Sequence, residues 1–223
     1  MNDSYGERSA LSYRNLRLMI GALGILLPVV LVGVNWMIWG RIKPLPSISA
    51  YYYTHVGVWF VGTMFAIGIF LICYRYDTPI RALSHLTTVA GIAAIVVGLF
   101  PTNPQTGSTP TQHTVAHVHE VAASTLFVIL GLTSLLIFPS ADGEPEQFHH
   151  ADAIYRALGI TILASCAGAV IFHSINGALF YFELVAVLGF AVSWLIRGET
   201  VEAARGVVAA YRVARSPSGT DPR

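Results

Sequence analysis

Apolar residues run along this chain in six long stretches, and the polar residues within them are not scattered. The stretches cover Leu16–Trp39, His55–Tyr74, Leu83–Phe100, Val115–Phe138, Ile154–Ile175 and Ala178–Ile196. About 20 apolar residues suffice to cross hydrocarbon as a helix, at roughly 1.5 Å of rise per residue. A helix satisfies its own backbone groups in lipid, so this pattern predicts an all-α chain. The expected fold is a polytopic membrane protein, one bundle of six transmembrane helices within residues 1–197. Residues 198–223 are expected to form a cytoplasmic tail, amphipathic and then disordered. In its first part Val201, Val208 and Tyr211 share a face opposed to Arg205, Arg212 and Arg215, which suits a headgroup surface. Small residues recur every fourth position at Ala90, Ala94 and Gly98, and again at Ala164 and Gly168. Such rows let helix backbones approach closely.

The polar positions favour one face of the membrane. Let side A hold the N-terminus and side B be the opposite face. His55 opens the second stretch from side B, and His113, His117 and Glu120 stand at the start of the fourth. His173 closes the fifth stretch, Asn176 and Glu183 stand at the start of the sixth, and Asn35 is near the end of the first. Ionisable groups are costly in a bilayer, so such a cluster marks a candidate site. At 100° per residue, His113, His117 and Glu120 fall within about a 60° arc, and His119 points elsewhere. The expectation is therefore that His117 and Glu120 face the bundle interior and share a cavity with His55, His173 or both. Two histidines at i, i+4 can chelate one metal ion. His55, His113, His117 and His173 are the candidate metal ligands, and Glu120 and Glu183 the candidate catalytic carboxylates. Glu183 is expected to be buried against a side-B histidine or Asn35.

Composition narrows the class. The chain is 54% apolar and 11% charged, against about 25% charged for a soluble domain. A net charge of +1 offers no footprint for nucleic acid. Six crossings place eleven Arg residues on side A and only Arg41 and Lys43 on side B. The positive-inside rule then puts both termini in the cytoplasm of a multi-pass cell-membrane protein. The polar head Met1–Tyr13 precedes an apolar run too long for a cleavable signal peptide of the usual form. Cys73 and Cys166 are expected at different depths, without a disulfide. Trp36, Trp39 and Tyr51–Tyr53 suit an interfacial aromatic belt.

The stretch Pro46-Ser-Ile-Ser-Ala-Tyr-Tyr-Tyr-Thr54, with Phe60-Val-Gly62, Ala66-Ile-Gly68, Tyr74-Arg75 and Val97-Gly-Leu-Phe-Pro101-Thr102, resembles a broad group of uncharacterised bacterial six-helix membrane proteins. That resemblance covers roughly the first two thirds of the chain and implies a fold, not an activity. A more distant resemblance is to the alkaline ceramidase and progestin-receptor-type superfamily. Its members look like membrane-embedded zinc hydrolases with a Ser-x3-His pair, an Asp and a late His-x3-His pair. Here His113-x3-His117 matches the late pair, and His55 stands for the third histidine. The position four before His55 is Tyr51 rather than Ser, and Ser49 is the nearest serine. No Asp lies on side B, so Glu120 or Glu183 would take its role.

Three functions are open on these residues. One is a metal-dependent hydrolase or transferase, with zinc the candidate metal, acting on a membrane lipid. A second is a non-catalytic lipid- or ligand-binding protein or sensor. The third is a haem b electron-transfer protein, with an axial pair drawn from His55, His117 and His173. No nucleic-acid partner is expected.

Overall fold

The computed structural model describes residues 3–40, 43–74, 81–139, 149–175 and 177–215. It is all-α, with six long helices: α1 Asp3–Trp39, α2 Gly57–Cys73, α3 Arg81–Leu99, α4 Pro110–Leu132, α5 His149–Ile171 and α6 Ala178–Arg215. Each helix packs on the next in sequence, and α6 returns to pack along α1, so the six close into a ring. Arg14–Ile38, Pro110–Ile137, Asp152–Ile171 and Ala178–Glu199 are long and apolar enough to cross a membrane. Gly57–Cys73 and His85–Leu99 are shorter apolar helices. Large apolar side chains cover the outside of the ring, among them Val29, Val58, Ile69, Ile92, Ile160 and Val170.

Local sequence explains the element ends that shape the site. Thr109 caps α4 through a reciprocal capping box: its hydroxyl accepts Gln112 N–H at 3.3 Å, while Gln112 Oε1 accepts Thr109 N–H at 2.8 Å. Pro110 follows at the first helical position, where its missing N–H costs nothing. The helix thus starts earlier than the apolar stretch does, and His113 is helical. The α4 ladder ends in a π-helical turn, Thr133–Ile137. At the other end of the chain α6 runs to Arg215 without a break near residue 197, so the tail expected over 198–223 is, as far as Arg215, a continuation of the helix.

Helix approach follows the small residues. Gly68 of α2 and Gly91 of α3 face each other, and a Cβ built on Gly91 would meet Gly68 O at 2.5 Å. Ala90 and Ala94 are fully buried beside this crossing. At the A end of the bundle, Trp194 is fully buried and packs edge-on against Tyr74 and Phe138, at 5.0 and 5.6 Å between ring centroids. Two buried arginines close this layer. Arg17 donates to Tyr74 Oη at 2.9 Å, and Arg197 donates to Phe138 O at 3.2 Å while lying over the Phe138 ring. Desolvated guanidinium–ring contacts of this kind contribute about 2 kcal/mol.

Candidate functional site

At the B end the chain between α1 and α2 folds inward instead of crossing over the surface. Ser47, Ile48, Ser49, Ala50 and Tyr51 are all buried, and Ser49–Tyr53 forms one 3-10 turn. Short-range bonds shape it: Ala50 N–H donates to Ser47 Oγ at 2.9 Å, and Thr54 Oγ donates to Tyr51 O at 2.7 Å. Burial pushes the Tyr51 phenol above its ordinary pKa, so it stays neutral and accepts Leu45 N–H at 3.4 Å. Tyr53 Oη donates to Thr102 O at 2.7 Å, tying the turn to the α3–α4 connection.

Glu183 of α6 anchors this turn from the other side. One carboxyl oxygen accepts the Ile48 N–H, and the other accepts the Ser49 hydroxyl at 3.3 Å. A backbone N–H drawn that far inward needs an acceptor, and Glu183 supplies it. The expected partners, a side-B histidine or Asn35, are not the ones used. Asn35 is buried on α1, and Asn176 lies outside the described residues.

The buried imidazole of α4 is His119, not His117. His119 is 4% exposed, and its Nδ1 lies 2.7 Å from Phe100 O and 3.2 Å from Val97 O. Carbonyls only accept, so Nδ1 carries the proton and donates, leaving Nε2 as an acceptor lone pair. The side chains of His117 and Glu120 are 77% and 61% exposed, and they approach one another at 3.8 Å. The angular reading of the motif holds, since these residues share a face with His113, but that face turns outward. The inward face belongs to Ala116, His119, Ala122, Leu126, Ile129 and Leu130, all buried. Small Ala116 and Ala122 lie on either side of His119 along the helix.

A cavity of about 350 Å³ lies between α4, α5 and α6 beneath the 3-10 turn. Its polar lining comes from Ser49, Thr102, His119, Glu120, Ser124, Ser165, His173 and Glu183. Phe127, Ala169, Val170, Leu179, Phe182 and Ala186 supply apolar wall, and Cys166 adds a thiol. Glu120, Val170 and His173 are exposed, so the cavity opens to the outside of the ring. A second cavity of about 50 Å³ reaches to Leu27, Phe60 and Met64 at the bundle centre. Ser49, His119, Phe127 and Glu183 line both, so the Glu183–His119 level forms the wall between them.

Of the residues singled out in the sequence, Glu120, Glu183 and His173 line one cavity. His173 is exposed, and its Nδ1 donates to Val170 O at 2.8 Å. His55, His113 and His117 are exposed and do not line it. Among the described residues no group of three or more His, Cys, Asp and Glu converges as a metal site would require. The four candidate ligands His55, His113, His117 and His173 therefore do not assemble into one ligand set here. Ser49, His119, Ser124, Ser165 and Cys166 were not indicated by the polar pattern. Ser165 and His119 carry the opposite signature, a polar residue on the buried stripe of its own helix. Comparison with family models, curated proteins and solved structures finds no match to this chain.

Proposed function

We propose that this chain is a six-span cell-membrane protein, both termini cytoplasmic, that binds a lipid-like amphiphile in its side-B cavity. Several features support the membrane reading: four long apolar helices, an apolar exterior and the Arg asymmetry. At 1.5 Å per residue, α2 and α3 extend about 26 and 29 Å, short of or near the hydrocarbon thickness and within what local thinning accommodates. The topology has a direct check. In a Cys73→Ser, Cys166→Ser background, Thr106→Cys should react with an impermeant maleimide added outside cells, and Glu146→Cys should not. The reverse labelling overturns the orientation and moves the site to the cytoplasmic face.

The single observation carrying the binding reading is the form of the cavity. It is of ligand size, for pockets commonly measure about 300–1,000 Å³. Polar groups from the turn and from α4, α5 and α6 share its lining with Phe127, Phe182 and Val170. A headgroup suits the polar groups and the start of an acyl chain the apolar ones. The reading also accounts for Ser165, which is 6% exposed, lines the cavity and makes no hydrogen bond within the protein. Its hydroxyl faces the cavity, where a ligand or water can bond it.

Protein extracted with its surrounding membrane by an amphipathic polymer should retain one tightly held amphiphile, detected by mass spectrometry after delipidating washes. Ala169→Phe, which fills the cavity, should release it while the protein remains folded and monodisperse, with any fall in thermal stability no larger than loss of the ligand accounts for. Equal retention by both proteins sinks the reading. The same sample separates the alternatives. Stoichiometric zinc lost in His117→Ala would put the hydrolase reading ahead, and a Soret band the haem reading.

A further inference from the structure

We infer that the ligand of this cavity carries a hydrogen-bond-donating cation, a primary ammonium headgroup on a single apolar chain. The inference rests on the amphiphile-binding reading and adds the chemistry of the headgroup. It comes from what the cavity lacks as much as from what it holds. Among the described residues its lining contains two carboxyl groups, Glu120 and Glu183, and neither Lys nor Arg. An anionic head would meet two carboxyl groups, one of them exposed at the mouth, with only imidazoles to set against them.

Among the other polar groups on the lining, several can accept. His119 has its Nδ1 proton committed to two carbonyls, so the Nε2 left over accepts. Nε2 makes no bond within the protein, although His119 is 96% buried by its 4% exposure and lines both cavities. Both Glu183 oxygens already accept from the 3-10 turn, and a carboxyl group retains further lone pairs. Ser124 and Ser165 have no partner and can turn to accept. An ammonium group has three donors and no acceptor, the complement of this set. Phe127 and Phe182 on the same lining offer apolar surface to its chain. A polyol head could donate as well, but it would gain nothing from the Glu120 charge.

The chain itself carries a reporter. Cys166 is half-buried and lines the cavity, so in a Cys73→Ser background it is the sole thiol. Protein in phosphatidylcholine nanodiscs is treated with N-ethylmaleimide in the presence of dodecylamine, dodecanol or dodecanoate at equal bilayer concentration. Dodecylamine should slow Cys166 alkylation at least tenfold more than dodecanoate. Glu120→Gln should reduce that protection to the dodecanol level without changing the dodecanol result itself. Glu120 is exposed and its replacement leaves the fold alone, which keeps the comparison interpretable. Titration calorimetry with the same three amphiphiles should return the same order. Equal protection by all three, or stronger protection by dodecanoate, overturns the ammonium assignment and leaves the amphiphile reading standing. No protection and no heat with any of the three overturns the amphiphile reading itself.

Discussion

Gly91→Leu should destabilise the bundle by about 3 kcal/mol or more, at the upper end of what overpacking costs. Even a single Cβ at this position would meet Gly68 O at 2.5 Å, Ile72 Cγ1 at 2.7 Å and Ile72 N at 3.0 Å. Two of these are backbone atoms of α2, which no rotamer change can move. A leucine therefore separates α2 from α3 along the crossing where Ala90 and Ala94 are fully buried. Gly62→Leu is the matched control, since it stands on α2 with nothing within 4 Å of its Cβ position. That change should be neutral or gain about 0.5–1 kcal/mol from helix propensity. Thermal unfolding followed by size-exclusion chromatography distinguishes the two. Equal losses from both variants would show that the crossing does not set stability.

The all-α fold and its six helices were legible because they depend on one strong signal. Helices in lipid need long apolar runs, and these runs are visible without knowledge of partners. The helix ends were less legible, because they depend on short-range chemistry. The capping box at Thr109 and Gln112 starts α4 several residues before its apolar run. At the other end, α6 continues into polar sequence as far as Arg215. Polar residues past a span do not end a helix when nothing breaks it.

The site was legible in its depth and misleading in its angle. Glu120, His173 and Glu183 do line one cavity at one end of the bundle. The phase of α4 was another matter. Assigning the interior face to the three-residue polar arc put His117 inward, whereas the apolar stripe through Ala116, Ala122, Leu126 and Ile129 brings in His119. His119 stands roughly 160° around the helix from His117. Within the first turns of a helix near the interface, exposed polar residues can find water, so richness in His and Glu does not mark the inward face. The small and apolar residues mark it, because they alone tolerate close packing there. The inward fold of Ser47–Tyr51 had no comparable signal. It depends on a backbone N–H and a carboxyl group 135 positions apart in sequence, and no periodicity joins them.

Glu183→Ala should release the Ser47–Tyr51 turn, the second large effect expected. The substitution removes the acceptor of Ile48 N–H and of Ser49 Oγ together. Ile48 is 4% exposed, so its orphaned N–H has little access to water, and leaving such a donor unsatisfied costs about 1–3 kcal/mol. The turn's own bonds, Ala50 N–H to Ser47 Oγ and Tyr51 N–H to Ile48 O, remain. They hold its local shape and do nothing to dock it against α6. Loss should therefore be confined to docking, seen as faster amide exchange over residues 45–53 with the α2–α3 pair still protected. Glu183→Gln separates geometry from charge. Its amide oxygen can accept Ile48 N–H while its NH2 donates to Ser49 Oγ, which can turn to accept. Exchange in that variant should stay close to the parent, and Ser49→Ala should fall between it and Glu183→Ala, because it loses only the 3.3 Å bond, the longer of the two. Exchange in Glu183→Ala that matches Ser49→Ala would show that the turn is held by its own packing and not by the carboxyl group. Uniformly faster exchange across α2, α3 and α6 would instead make Glu183 a residue of global stability, with no particular hold on the turn.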